Sequence, residues 1–258
     1  MNAPKRTLLS VAGFDPSGGA GVLLDAAVFR RLGFHGAAVV TALTIQNTAS
    51  VQRVVPMSPR LVRDQWRSLA EDIPVAGIKV GMVGTGKILR IIAAELGRHN
   101  GIPRVVDPVL RSSSGTRLLE REAVPAILRA LRGRANLVTP NLAEASCLAG
   151  FPVRTPDEME RAARELFERT GVPFLIKGGH LAGTALDVLY DGSGFHRLAK
   201  SRIPAEVHGT GCCLAAAVTA FLALGYRLDE ACRRGTKFVH AGLVRARRIG
   251  RGRPVFDV

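Results

Sequence analysis

The stretch TLLSVAGFDPSGGAGVLLDAAVFRRLGFHGAAVVTALTI, residues 7–45, decides the fold. An apolar run stops at Gly13 in a glycine loop, a helical pattern runs from about Gly19 to Leu32, and a β-rich run, AAVVTALTI, follows at 37–45. Strand, helix and strand in that order make a βαβ unit. The same alternation continues outward. VAGIKVGM (75–82) precedes KILRIIAAELGRH (87–99), RVVDPVL (104–110) precedes REAVPAILRAL (121–131), and ANLVTPN (135–141) precedes LAEASCLAG (142–150). VPFLIKGG (172–179) leads into TALDVLYDG (184–192) and GFHRLAKSRI (194–203), which alternate like a hairpin. Two helices close the chain, roughly at 211–224 and 228–246. Such alternation predicts an α/β fold with a mostly parallel sheet covered on both faces. LTIQNTASVQRVVPMSP (43–59) reads as strands and turns rather than a crossover helix, and is expected to project as a small β flap. No linker or internal repeat divides residues 1–258, which read as one domain.

Composition narrows the function. Hydrophobic residues make up 47% of the 258, enough for a sizeable core. No apolar run approaches the roughly 20 residues needed to span a bilayer. The charged start MNAPKR leads into an apolar run that ends in the glycine loop, which reads as a first strand and not a signal peptide. Cys147, Cys212, Cys213 and Cys232 form no C-x-x-C pair and no His clusters with them, which fits a reduced, cytoplasmic protein. The net charge is +15, and Lys occurs only at positions 5, 79, 87, 177, 200 and 237, so the basic set is almost all Arg. That field attracts anionic substrates and, non-specifically, nucleic acid. The arginines lie beside acids in helical segments such as EMERAARELFERT (158–170), and aromatics are 5% of residues, a pattern of solvated faces and not of a specific nucleic-acid footprint.

Several strand ends carry residues suited to one chemistry. VHGTGCCLAAAVTAFLALG (207–225) puts Gly209, Gly211 and Cys212 at a helix entrance. Glycine allows close backbone approach and a helix start offers free N–H groups, so the loop reads either as an anion site or as a tight turn before a small buried cysteine. At a helix N-terminus a thiol pKa can be lowered. GMVGTGKI (81–88) matches G-x-x-x-x-G-K, but Ile88 stands where a P-loop needs Ser or Thr, so it reads as a strand end lining a pocket. AGFDPSGGAG (12–21) is a second glycine loop, and Asp25 follows on the first turns of its helix, either as a site residue or as an acid favoured near a helix N-terminus. Asn141 and Glu144 in TPNLAEA form a capping-box pattern and are equally oxygen donors suited to Mg²⁺. Asp107 in VVDPV and Lys177 in LIKGGH stand at strand ends, where α/β folds place active residues. A lysine, an oxygen-rich cation site and a helix N-terminus are the parts that phosphoryl transfer needs.

Taken together, AGFDPSGGAG, TALTIQNT (41–48), KVGM (79–82), VVDPV, TPNLAEA, IKGGHL (176–181), HGTGC (208–212) and GRGRPVFD (250–257) resemble the hydroxymethylpyrimidine/phosphomethylpyrimidine kinases of thiamine synthesis, in the ribokinase-like superfamily. The resemblance runs essentially the full length and implies a three-layer α/β/α domain, commonly a homodimer, that transfers the ATP γ-phosphate to a pyrimidine hydroxymethyl group and then adds a second phosphate. It implies that Gln46 hydrogen-bonds the aminopyrimidine, with Gly13, Asp25, Met82 and Val109 lining the same pocket. Asp107, Asn141, Lys177, Thr210 and Lys237 would meet the nucleotide, and Asn141 with Glu144 would organise Mg²⁺, mainly through water. Gly209–Cys212 resembles the superfamily's G-x-G-D anion hole with Cys212 at the proton-accepting position. The chain departs from the pattern at Phe14, where a small hydroxyl residue is usual, and at Glu206 and Val207, which replace Asn-Thr. These departures leave room for a pyridoxal-type kinase or a relative acting on another hydroxymethyl heteroaromatic. A catalytically weak pyrimidine sensor is a separate alternative, against which the retention of Lys177, Glu144 and the Gly209–Cys212 loop argues.

Overall fold

The computed structural model describes residues 6–112, 115–179, 181, 185–203 and 206–258. The charged start at residues 1–5, His180 of the IKGGHL motif and Thr184 lie outside the described residues. In chain order the elements are β1 (Thr7–Phe14), α1 (Gly21–Arg31), β2 (His35–Gln46), β3 (Val51–Pro56), α2 (Pro59–Asp72), β4 (Val75–Val80), α3 (Gly86–Arg98) and β5 (Arg104–Val106). A 3₁₀ turn at Arg121–Ala123 leads to α4 (Val124–Leu131), β6 (Leu137–Val138), α5 (Leu142–Ala149), α6 (Pro156–Thr170) and β7 (Phe174–Gly178). The chain ends with β8 (Ala185–Tyr190), β9 (Phe195–Lys200), α7 (Thr210–Ala223) and α8 (Leu228–Val244).

The strands form one nine-stranded sheet in the order β3-β2-β1-β4-β5-β6-β7-β8-β9. From β2 to β7 every pairing is parallel, whereas β3, β8 and β9 pair antiparallel at the two edges. The alternation of side chains along each strand splits the core into two layers. On β1, Leu9 and Val11 face the cluster that includes Trp66, Ile88, Ile92, Leu128 and Leu166, contributed by α2, α3, α4 and α6. Leu8 faces the opposite way, toward Val28, Phe29, Ala216 and Ala220 of α1 and α7. Along β7, Leu175 likewise belongs to the α7 side, and its neighbours Phe174 and Ile176 to the other. The expected three-layer architecture is therefore present. The helix α7 is apolar on nearly every face because it lies between the sheet and its helical neighbours, α1 and α8.

The β2 strand is twelve residues long, and it pairs with β1 from His35 to Val40 and again, after a register shift, at Leu43. Its far end, Ala42–Gln46, pairs with β3 as a two-stranded ribbon, the expected flap. The helix α2 is not anticipated by the sequence reading, although its signal is in the chain: Ser58 caps Leu61 N–H, and Pro59 sits in the first turn. Among the described residues, no helix is long and apolar enough to cross a membrane.

Candidate active site

Strand order reverses between β1 and β4, since the chain runs outward from β1 to β2 and then returns to the other side of β1. Ligands in open α/β sheets bind beyond the carboxyl ends of the strands at such a point. A large open cavity lies there, reached by Gly13 at the end of β1, Met82 after β4, Asp107 after β5, Asn141 after β6, Lys177 on β7 and the start of α7. Of the expected site residues, Gly13, Gln46, Met82, Val109, Asp107, Asn141, Glu144, Lys177, Gly209, Thr210, Gly211 and Cys212 all line this one cavity. Lys87 of the G-x-x-x-x-G-K match is exposed and away from the cavity, whereas Met82 of the same stretch reaches it, as a strand end lining a pocket should.

The charged half is assembled from three strand ends and one helix start. Lys177 Nζ lies 2.7 Å from Asp107 Oδ1, which also accepts the Thr139 hydroxyl at 3.2 Å. Burial works to lower the Lys177 pKa, but the Asp107 and Glu144 carboxylates hold it above the ordinary value. Glu144 is pushed up to about 7 by burial, with Asp107 adding to the shift and Lys177 opposing it. Asn141 and Glu144 form the capping box read from the sequence. Asn141 Oδ1 accepts Glu144 N–H at 2.9 Å and Glu144 Oε2 accepts Asn141 N–H at 2.8 Å, a complete capping box on α5, while both residues still face the cavity. Opposite Lys177 is the first turn of α7, which no side chain caps among the described residues. A Cβ on Gly211 would stand 2.9 Å from Lys177 Nζ and 3.1 Å from Asp107 Oδ2, so glycine lets the helix start approach the charged pair without displacing either side chain. Gly209 has φ +84°, and any Cβ there would strike the Gly19 carbonyl oxygen, so the loop leading into α7 is seated directly on the first glycine loop.

Three expectations for site residues are corrected. Asp25 does not line the cavity. It is fully buried behind Cys212, 2.8 Å from Lys79 Nζ and 2.5 Å from the Ser10 hydroxyl. Lys79 is equally buried; burial works to lower its pKa, and Asp25 leads the carboxylates that hold it above the ordinary lysine value. Cys212 does not gain a depressed pKa from its helix terminus. Burial raises the thiol, with Asp25 and Asp107 adding to the rise, against the pull of Lys79 and the Gly21 N–H. Lys237 is exposed on α8 and outside the cavity, because the neighbouring positions Thr236, Val239 and His240 take the inward face. The bulk of Phe14 also stays clear of the cavity lining.

Elsewhere the cavity is lined by residues to which the sequence reading gave no role, His208, Asp15 and Lys200 among them. His208 Nε2 lies 3.0 Å from Gln46 Nε2 and 2.9 Å from Asp15 Oδ2. Asp15 Oδ1 accepts the Ser17 N–H at 2.9 Å and its hydroxyl at 2.7 Å. Burial works to raise the Asp15 pKa, but the His208 and Ser17 bonds hold it below the usual carboxylate value. The ribbon is tied down nearby, where Thr44 donates its hydroxyl to the Phe14 carbonyl at 3.0 Å. Asp-x-Ser is a recognisable turn signal, but nothing local pairs Asp15 with a histidine 193 positions away. Further along, Lys200 lines the cavity 2.6 Å from the fully buried Asp187, and Glu206 meets Arg253 at 3.0 Å.

A buried lysine beside two carboxylates, facing an uncapped helix start at the carboxyl ends of a parallel sheet, defines a phosphotransferase acting on small molecules. Comparison with known proteins is more specific. The family model for phosphomethylpyrimidine kinase matches residues 15–256. A hydroxymethylpyrimidine/phosphomethylpyrimidine kinase of Rhizobium meliloti (strain 1021) is 43% identical over 95% of this chain and 94% of its own. A thiamine biosynthesis bifunctional protein of Geobacter sulfurreducens is 40% identical over 96% of this chain, which spans about half (51%) of that relative. The pyridoxal kinase of Staphylococcus aureus, solved with AMP-PCP and pyridoxal, superposes with a TM-score of 0.89 at 29% identity, covering 99% of this chain and 94% of that one. The chain belongs to the phosphomethylpyrimidine kinase family.

Proposed function

We propose that residues 1–258 act as one kinase domain that transfers the γ-phosphoryl group of ATP to the hydroxymethyl group of 4-amino-5-hydroxymethyl-2-methylpyrimidine. A second transfer, to the monophosphate, gives the diphosphate used in thiamine synthesis. The observation that carries this reading is the Lys177–Asp107 pair held against the uncapped start of α7, inside the same cavity as Gln46 and Met82. The acceptor ring rests against Gly13, Met82 and Val109 with its polar edge toward Gln46. Its hydroxymethyl oxygen points at Gly209–Cys212, where the free N–H groups and the helix dipole stabilise charge on the transferring group. Lys177 adds a positive charge from the opposite side. With its thiol pKa raised, Cys212 is a weak base, and a loose phosphoryl-transfer transition state asks little of one.

The oxygen-only set of Asp107, Asn141 and Glu144 suits Mg²⁺, which keeps several of its waters. The inner oxygens of Asn141 and Glu144 already accept backbone N–H groups, which favours contact through those waters. When bound, Mg²⁺ neutralises charge on the nucleotide phosphates. The chain works in the cytoplasm as a homodimer. Exposed Leu43, Ile45 and Val55 on the β2–β3 ribbon supply an apolar surface for pairing.

The test follows ADP release with Mg·ATP and, in parallel, hydroxymethylpyrimidine, its monophosphate and pyridoxal, with products identified by mass. Turnover of both pyrimidines is expected. Turnover of pyridoxal alone overturns the acceptor, and tight pyrimidine binding without turnover by any of the three makes the chain a sensor.

A further inference from the structure

The contacts of His208 contain a conflict that fixes the chemistry of its neighbours. One ring nitrogen, Nε2, lies within hydrogen-bond distance of both the Gln46 side-chain amide and the Asp15 carboxylate. Nε2 carries either a proton or a lone pair, so it cannot accept from an amide NH₂ while also donating to a carboxylate. The carboxylate decides which. Asp15 is almost wholly buried, its Oδ1 is occupied by both Ser17 donors, and its Oδ2 faces Nε2 at 2.9 Å. A lone pair at that distance from a buried carboxylate oxygen would be repulsive, whereas Nε2–H makes a charge-assisted bond. With Nε2 protonated, the Gln46 atom at 3.0 Å must be the acceptor Oε1. The oxygen and nitrogen ends of an amide are nearly the same shape, so their placement follows from the hydrogen-bond network.

We propose that Asp15 and His208 are positioning residues that set acceptor specificity by locking the Gln46 amide, with Oε1 toward His208 and NH₂ toward the rest of the cavity. This rests on the acceptor reading above. The order of donor and acceptor matters because the hydroxymethyl group, which must reach the phosphate, already fixes how the ring lies. In that pose the second lone pair of Oε1 accepts from the exocyclic amine, and the Gln46 NH₂ donates to the adjacent ring nitrogen. A 4-oxo analogue presents the reverse pattern, a carbonyl acceptor beside a ring N–H donor, and meets two mismatched contacts. The lock joins three separate parts of the chain: the first glycine loop, the ribbon and the segment before α7. The His208 ring also packs on Gly19, where a Cβ would come within 2.5 Å of it.

The test compares kcat/KM for 4-amino-5-hydroxymethyl-2-methylpyrimidine with that for its 4-oxo analogue, in wild type and in Asp15→Asn. The substitution keeps the shape of the side chain. The Ser17 donors retain the oxygen of the new amide, so its NH₂ faces His208. Nε2 must then carry the lone pair and the Gln46 amide must turn over. The amino-to-oxo preference is expected to fall at least tenfold. A purely structural role would slow both substrates by the same factor, and a ratio unchanged within twofold overturns the proposal. His208→Ala, which removes the lock, should also move the ratio toward one, and carries the test if Asp15→Asn does not fold. Independently, nitrogen-15 NMR should show a proton on His208 Nε2 in wild type and none in Asp15→Asn; an unprotonated wild-type Nε2 overturns the lock without reference to any substrate. Wild-type protein that phosphorylates pyridoxal and neither pyrimidine breaks the acceptor reading, and the specificity role with it, while the NMR result still reports on the lock.

Discussion

Two of the protein's lysine–aspartate pairs, of nearly equal length, lie near the ends of two strands of the same sheet and differ in one respect. Lys79 and Asp25 meet at 2.8 Å with both side chains fully buried; Lys177 and Asp107 meet at 2.7 Å with 14% of the lysine side chain and 3% of the aspartate exposed. That small opening separates their roles. The first pair is sealed behind Cys212 and Gly81, where Ser10 donates its hydroxyl to Asp25. The second borders the cavity beside the start of α7, where an incoming anion can share the lysine. A buried pair contributes little net stability, yet breaking it leaves an uncompensated charge. One pair therefore lies beneath the cavity, and the other is the one placed to act in it under the proposed function.

The contrast is sharpest in the activity of Lys177→Met. Loss of this one positive group from the transition state should lower kcat by roughly 10²–10³, while the protein unfolds closer to wild type than any variant of the sealed pair; steady-state kinetics and a urea melt check both. Lys79→Met should lose roughly 3–5 kcal/mol of stability in urea, because Asp25 is left charged in a dry site. Adding Asp25→Leu should restore most of it, since an apolar replacement for the pair removes the stranded charge. If Lys79→Met is stable but inactive, the sealed pair belongs to the chemistry after all. Gln46→Ala tests the acceptor half. It should lower kcat/KM for the pyrimidine about tenfold to a hundredfold, the loss expected of one or two buried hydrogen bonds, and affect intrinsic ATP hydrolysis far less. The smallest effect is expected from Cys212→Ala, which should slow transfer by less than the roughly hundredfold that a full general base supplies and leave acceptor affinity intact. Wild-type turnover by that variant would remove Cys212 from the mechanism.

Much of this was legible in the sequence because it is local. The alternation of apolar runs and helical patterns gives the parallel sheet, and residues at strand ends such as Asp107 and Lys177 share a cavity because a parallel sheet brings its carboxyl ends to one side. Asn141 and Glu144 are three positions apart, so their capping box can be read directly. What escaped depends on pairing across long separations or on depth. Nothing near Asp25 announces Lys79, 54 positions away, and the same sequence pattern would suit an acid lining the pocket. The helix N-terminus at Cys212 argued for a lowered thiol pKa, but burial beside two carboxylates outweighs it. A one-position offset on α8 separates the exposed Lys237 from the inward Thr236, too fine a difference for a resemblance to settle. The Asp15–His208–Gln46 lock is the largest omission, because its members lie on three segments that meet only in the folded chain.

The most direct test of the whole account is a competition. Hydroxymethylpyrimidine and pyridoxal are supplied at equal concentration with limiting Mg·ATP, and the ratio of their phosphorylated products, read by mass, gives the ratio of kcat/KM in a single mixture. A large excess of the pyrimidine phosphate is the predicted result. A mixture dominated by pyridoxal 5′-phosphate would contradict the account, leaving the fold and the phosphate chemistry in place but assigning the Gln46 half of the cavity to a different ring.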